Sequence, residues 1–284
     1  MSSRLIESDR PDDPLVVVRS DFWAFNTIGL ASGGQACVID PGIKPEDIQL
    51  LTDSLPAEVN EVLITHSHHD HIRGWHRFPG AKVSMPRVVA DKRLDAQARI
   101  LRAKAKIDDK LGIDDPEFSY PTADRVFDDR LELMIGEQPA EMIFLPGHSN
   151  CTSVVYFPNI ATLCTADYLV SPGLPYCRWQ AREFESAIRF LKSFCSERAV
   201  DRIVPAHNDL IHGSAAIEQA LLQESTYFES LRALVTDILA SGESQESTAK
   251  RAATEMTKRR GVDLRGREPQ DLDNARRVLA ELAG

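Results

Sequence analysis

Four histidines and an aspartate crowd the stretch Ile64-Thr65-His66-Ser67-His68-His69-Asp70-His71, where a short apolar run stops abruptly. The chain has 8 histidines in all, so half of them fall in one short segment. Imidazole fills an apolar core poorly, and such crowding points to metal ligation. Neutral imidazole and carboxylate suit zinc, manganese or iron without any thiolate. The pattern His66-x-His68-x-Asp70-His71 asks for a loop rather than a helix, because alternate and adjacent side chains must converge on points a few ångströms apart.

Three more candidates stand where later apolar runs end. His148 follows Phe144-Leu145-Pro146-Gly147, Asp167 follows Leu163-Cys164-Thr165-Ala166, and His207 follows Ile203-Val204-Pro205-Ala206. Taken singly, each reads first as a capping or core-satisfied residue. Together with the cluster they read as strand-end ligands, since α/β proteins place their chemistry where strands run out.

The elements that must position these residues are short and mostly β. Leu15 to Val18 is β-branched, Thr27 to Asp40 reads as a strand pair turning at Ser32-Gly33-Gly34, and Glu61 to Thr65 leads into the cluster. Ala81 to Met85 is a further strand. From Arg87 to Leu111 the spacing of Leu94, Ala98, Leu101 and Ala105 predicts a helix stopped by Gly112. Strands resume at Leu131 to Ile135, Glu141 to Leu145, Thr152 to Phe157 and Ala161 to Thr165, and Arg202 to Val204 adds another. Arg182 to Arg198 is helical, with Phe184, Ile188, Leu191 and Cys195 on one face. Beyond His212 an apolar stripe from Ile217 to Val235 and two shorter helical stretches complete the chain.

Five of these motifs, in this order, resemble the metallo-β-lactamase-fold hydrolases, the superfamily that includes glyoxalase II, lactonases and RNA-processing phosphodiesterases. They are Val38-Ile39-Asp40-Pro41-Gly42, the His66 to His71 cluster, Gly147-His148-Ser149, Thr165-Ala166-Asp167 and Pro205-Ala206-His207. The resemblance covers roughly Val16 to His212. It implies an α/β fold, a four-layer αβ/βα sandwich of two mixed β-sheets flanked by helices, here with a helical C-terminal addition. It also implies that His66, His68 and His148 hold one metal, that Asp70, His71 and His207 hold a second, and that Asp167 bridges them. Asp40 then supports the ligand loops without binding metal. His69, His76 and His212 match no ligand position. The sequence departs from the family pattern at Ala166 and Ala206, where glycine is usual, and at Asn150-Cys151, where Pro-Gly is common.

The organisation expected is a polar arm over 1–14, a catalytic domain over 15–213 carrying a helical insert at 87–112, and a helical extension over 214–284. The insert would serve as a lid, a dimer surface or a plain packing helix. The function the resemblance implies is a metal-dependent hydrolase, in which two divalent ions, zinc foremost with iron or manganese as alternatives, deliver a metal-bound hydroxide. Asp70 would orient it and pass a proton to the leaving group. A small ester, thioester or lactone is the expected substrate. The rival readings are a mononuclear iron oxygenase of the persulfide dioxygenase kind, a phosphodiesterase acting on nucleotides or RNA, and a metal-stabilised binding module.

Bulk properties narrow the partners. A net charge of −10 disfavours nucleic acid, because phosphate binding draws its affinity from a basic surface. The basic set Lys258, Arg259, Arg260, Arg265 and Arg267 reads as a solvated helix face. No apolar run reaches the ~20 residues of a membrane span, and the polar, acidic N-terminal stretch has no secretory apolar segment, so a cytoplasmic location is expected. The 5 cysteines are scattered, odd in number and without C-x-x-C spacing, as for reduced thiols. Cys151 and Cys164 read as apolar filler, and Tyr168 and Tyr176 as sheet-edge residues before oxyanion donors. A homo-oligomer is left open.

Overall fold

In the computed structural model the described residues are 3–8, 10, 12–170, 172–260 and 268–282. The chain divides into two compact units that it threads alternately. The first comprises Met1–Phe144, Cys151–Ala166 and Val204–Asn208; the second comprises Leu145–Asn150, Asp167–Ile203 and Asp209–Gly284.

The first unit begins with β1 (Arg4–Ile6), β2 (Leu15–Arg19), β3 (Asn26–Ser32) and β4 (Gln35–Ile39), an antiparallel meander. β1 lies within the polar arm, where its backbone pairs along the edge of β2 in the register Leu5 to Val18. Next come α1 (Pro45–Ser54), β5 (Val59–Leu63), α2 (His69–Ile72), β6 (Lys82–Pro86), α3 (Arg87–Ala90), α4 (Leu94–Leu111) and β7 (Arg125–Phe127). β4, β5, β6 and β7 run parallel, so the seven-stranded sheet is mixed. β8 (Arg130–Ile135), β9 (Gln138–Phe144), β10 (Ser153–Phe157) and β11 (Thr162–Ala166) form an antiparallel run.

α1 carries no strong apolar periodicity but has local start signals: Pro45 in the first turn and Asp47 accepting from the Lys44 N–H. Its Leu51 and the following Leu55 pack in a cluster with Val18, Ala36 and Val38. α4 ends at Gly112, whose φ of 67° supplies the left-handed stop that the sequence predicts. Its buried face matches the expected one only in part: Leu101 packs against the cluster of Ile64, Met85 and Val89, but the ends of the stripe do not follow the apolar spacing. Leu94 is 81% exposed and Ala105 is exposed, whereas Lys104 is buried. The Lys104 ammonium lies 2.8 Å from Asp108 and 2.9 Å from Asp115, and 4.2 Å over the Phe118 ring. Two carboxylates and an aromatic face make the cation the better buried group, which apolar spacing does not reveal.

The second unit carries α5 (Ala181–Glu197), α6 (Ser214–Ala240), α7 (Gln245–Arg260) and α8 (Glu268–Leu282), while β12 (Arg202–Pro205) and β13 (Ile211–His212) complete a six-stranded sheet in the order β13-β12-β11-β10-β9-β8. The fold is thus α/β, two mixed sheets flanked by helices with further helices at the C-terminal end. α5 buries Phe184, Ile188, Leu191 and Cys195, the face expected from spacing. Phe184 meets Phe228 of α6 with centroids 4.8 Å apart, and Arg232 of α6 bridges Glu185 of α5 and Glu281 of α8. Of the basic set, Lys258 pairs with Glu255 in an exposed position, and Arg265 and Arg267 lie outside the described residues.

Glu224 sits among the apolar residues of α6, with Oε1 accepting from the Leu169 N–H at 2.9 Å and Oε2 buried without a partner among the described residues. Burial pushes its carboxyl up from 4.5 to about 8, against the Leu169 hydrogen bond. The unfolded chain releases this proton at the ordinary value and the folded chain holds it, so stability falls as pH rises between the two. Glu224→Gln keeps the Leu169 bond and removes the proton release. Urea unfolding at about pH 5 and about pH 8.5 should show the variant losing less stability than wild type, with about 5 kcal/mol as the upper bound.

Candidate metal centre

The clustered residues of the first unit take their places from a buried carboxylate. Asp40 follows β4 with a φ of 46°, its N–H bonded to the Leu63 carbonyl. Its Oδ1 accepts from the Thr65 N–H at 2.8 Å, and Oδ2 accepts from the Thr65 hydroxyl at 2.6 Å and from His71 Nδ1–H at 2.8 Å. The Thr65 hydroxyl, having given its proton to Asp40, accepts from His66 Nδ1–H at 3.1 Å. One carboxylate therefore sets two imidazoles, each presenting Nε2 for ligation. This is the supporting role the resemblance assigns to Asp40, and Thr65 is a participant the sequence reading missed. Its only signal was its position at the strand end.

His66 Nε2 and His68 Nδ1 stand 2.9 Å apart. Asp70 and His71 lie on the four-residue α2, so the cluster is half loop and half helical turn, not a loop throughout. The turn closes through the His71 N–H to the His68 carbonyl at 3.1 Å. His207 is fixed by backbone bonds on both sides: Asn26 N–H to the Ala206 carbonyl at 2.7 Å and Asn208 N–H to the Ala24 carbonyl at 2.9 Å. Its Nδ1–H donates to the Trp23 carbonyl at 3.1 Å, which again leaves Nε2 as the ligand atom.

Asp70, His71 and His207 bring ligand atoms within 4.8 Å of one another. The Asp70 Oδ2 is 3.5 Å from His207 Nε2 and 3.9 Å from His71 Nε2. These separations exceed a charge-assisted hydrogen bond. Two ligands each about 2.0–2.1 Å from one zinc at a tetrahedral angle stand about 3.3–3.5 Å apart, so the Asp70–His207 spacing matches a shared cation and the Asp70–His71 spacing is a few tenths of an ångström wider. Burial would raise the Asp70 carboxyl, but the neighbouring imidazoles of His71, His207 and His69 hold it well below the usual carboxylate range.

In the second unit His148 Nε2 lies 3.0 Å from Asp167 Oδ2. Its Nδ1–H donates to the Tyr176 carbonyl at 2.6 Å, its N–H donates to the Tyr168 hydroxyl at 3.0 Å, and its carbonyl accepts from Arg178 at 2.7 Å. Gly147 precedes it because a Cβ there would meet the Tyr168 hydroxyl at 2.7 Å and the Phe184 Cα at 2.8 Å. Tyr168 is buried, and its hydroxyl also donates to the Leu145 carbonyl, so it is a bracket for the His148 loop and no oxyanion donor. Tyr176 gives its hydroxyl proton to Asp273.

A family model described as the metallo-beta-lactamase superfamily matches residues 23–207. The chain belongs to the metallo-β-lactamase superfamily. Among solved structures it is similar to a metallo-beta-lactamase from Pontibacter korlensis, with 18% identity over 78% of this chain and 100% of that one, TM-score 0.54. A metallo-beta-lactamase family protein from Thermus thermophilus matches at 16% identity over 98% of this chain and 91% of that one, TM-score 0.62. A stereoselective inverting sec-alkylsulfatase from Pseudomonas sp. matches 96% of this chain with 50% of its own length, at 15% identity and TM-score 0.66. No curated protein sequence matches the chain at a significant level.

Within this superfamily the departures gain physical meaning. Ala166 has a φ of 51°, the left-handed conformation for which glycine is the usual choice, whereas Ala206 is not among the positive-φ residues. Cys151, where Gly is common, is buried 3.3 Å from the Ser67 hydroxyl and 3.7 Å from Lys92 Nζ, so it packs behind the ligand loop. All five cysteines are buried, and none is in a disulfide among the described residues. His69 faces the Trp23 ring at 5.7 Å, its imidazole pKa lowered by burial; His76 pairs with Asp115 at 3.0 Å, and His212 is exposed on β13.

Thr65→Val removes the relay to His66 but keeps the Asp40 bond to His71. Zinc affinity by chelator competition should fall about 10- to 100-fold. Asp40→Ala should weaken it further and cost stability, since each buried donor left unpaired costs about 1–3 kcal/mol; urea midpoints measure the second effect.

Proposed function

We propose that the chain is a dinuclear metal-dependent hydrolase acting on a small ester, thioester or lactone. In this reading His66, His68 and His148 would hold one cation and Asp70, His71 and His207 the other, with Asp167 as a further ligand. The observation that carries it is the second triad: a carboxylate and two imidazoles whose ligand atoms lie within 4.8 Å of one another, with the imidazoles turned by Asp40 and the Trp23 carbonyl to present Nε2. A site built for one metal has no need of that arrangement.

Bound divalent ions would supply Lewis acidity and bring the pKa of a water towards neutrality, about 7 for zinc. Asp70 would accept a hydrogen bond from the attacking water and so orient it. Its carboxyl is held ionised by its imidazole neighbours, which suits it better to orienting a nucleophile than to donating a proton to the leaving group. Zinc is the first choice of metal, because imidazole with carboxylate satisfies it without thiolate. The net charge of −10 supports a small molecule over a polyanion as substrate. No helix among the described residues is long and apolar enough to cross a membrane.

Elemental analysis of protein purified without added metal should find two divalent ions per chain, and a panel of esters, thioesters and lactones should contain a substrate. A β-lactam and a secondary alkyl sulfate belong in that panel, since solved structures bearing those names share the fold. Asp70→Ala should retain one metal and lose turnover, whereas His69→Ala should retain both and stay active. One iron per chain with sulfur-dependent oxygen uptake would overturn the proposal in favour of an oxygenase.

A further inference from the structure

The second unit holds a chain of hydrogen bonds that ends on His148. The imidazole is oriented by the Tyr176 carbonyl at 2.6 Å, and the His148 carbonyl by the Arg178 N–H at 2.7 Å, so the tripeptide Tyr176-Cys177-Arg178 grips this residue at ring and backbone. That tripeptide lies in no helix or strand. A carbonyl in an irregular segment keeps its direction only if the segment is tied down elsewhere.

The tie is α8. Asn274 is fully buried, accepts from the Cys177 N–H at 2.9 Å and donates to the Pro175 carbonyl at 2.7 Å, which places one side-chain amide on both peptide groups flanking Tyr176. Its second amide proton goes to the Tyr227 hydroxyl of α6 at 2.9 Å, so both donors are used. Tyr227 in turn donates to Asp271 Oδ1 at 2.8 Å, and Asp271 Oδ2 accepts from Thr257 of α7 at 2.9 Å. The Tyr176 hydroxyl adds a second tether to α8 through Asp273 Oδ2 at 3.0 Å. Three C-terminal helices thus converge on one amide that faces the loop from Pro175 to Arg178. α6, α7 and α8 lie beyond residue 207, where the family match ends.

We propose that Asn274 is a positioning residue for His148: by holding the backbone from Pro175 to Cys177 it aims the Tyr176 carbonyl, which fixes the tautomer and direction of the imidazole. The C-terminal helices are then part of the metal centre's support. The inference rests on the reading above that His148 binds a cation. Outer contacts of this kind contribute about 10- to 100-fold in metal affinity.

The full chain carries the test, with His148→Ala, Asn274→Ala, Asn274→Asp and Lys258→Ala compared. Lys258 lies exposed on α7, pairs with Glu255 at 2.9 Å and takes no part in the chain of bonds to the loop. Zinc competition should show one metal equivalent of Asn274→Ala weakened about 10- to 100-fold with the other unchanged. The cobalt(II) spectrum of that equivalent should shift, and Lys258→Ala should match wild type in both. In metal-free protein, long-range nitrogen–proton correlations should report Nδ1 of His148 fully protonated in wild type and only partly so in Asn274→Ala. Asn274→Asp keeps the bond from Cys177 and loses the one to Pro175, so it should fall between; it also carries the test if the alanine variant fails to fold. Wild-type affinity, spectrum and tautomer in a folded Asn274 variant would overturn the proposal. Two metals retained in His148→Ala would instead sink the reading on which it rests.

Discussion

A carboxylate buried at the end of β4 receives three hydrogen bonds, from the backbone and hydroxyl of Thr65 and from the His71 ring, and most of the candidate centre in the first unit depends on it. An ionised carboxylate removed from water is costly unless donors surround it, so the loop bearing those donors is drawn to Asp40 as strongly as Asp40 is held by them. Through the Thr65 hydroxyl the same charge reaches His66. Two rings that a sequence shows only as neighbours in a crowded run are thereby given the same tautomer and turned to present the same nitrogen.

The backbone around the centre is strained in ways that only this network justifies. Trp23, Ala24, Asp40, Ala166, Leu169 and Asn208 all have positive φ without being glycine, and each adjoins a segment carrying a candidate ligand or its support. Such conformations cost about 1–3 kcal/mol each and persist where surrounding bonds over-determine them. Here the bonds are visible. Asn208 is tied to the Ala24 carbonyl, Leu169 to Glu224, and the Ala166 carbonyl accepts from Ala206 at 2.7 Å. Strain is concentrated where loops leave the strands, and the regular sheets carry little of it.

The C-terminal helices illustrate how support can lie far from chemistry in sequence. Buried Tyr227, Asp271 and Asn274, with half-buried Thr257, form a polar network in which each named group has its partners. A satisfied network of this kind specifies one packing of three helices, because any other packing would strand a carboxylate or an amide in the interior. Its last member faces the loop that holds His148.

Much of this protein follows from local pattern. The order of apolar runs and turns determined the short strands on either side of the ligand segments and the amphipathic faces of α5 and α6, because period and punctuation are properties of adjacent residues. The crowding of His66 to His71 and the three residues at later strand ends determined the kind of chemistry available, because ligand identity is a property of side-chain type. What tertiary structure decided is which atoms of those residues face one another. The Asp40 to His71 bond, the Trp23 carbonyl on His207, the burial of Lys104 in place of Leu94 on α4 and the hold of Asn274 on the loop before Arg178 all join segments distant in the chain. Such pairings arise only when the backbone returns on itself, and the cost of a buried polar group then selects the partner that satisfies it.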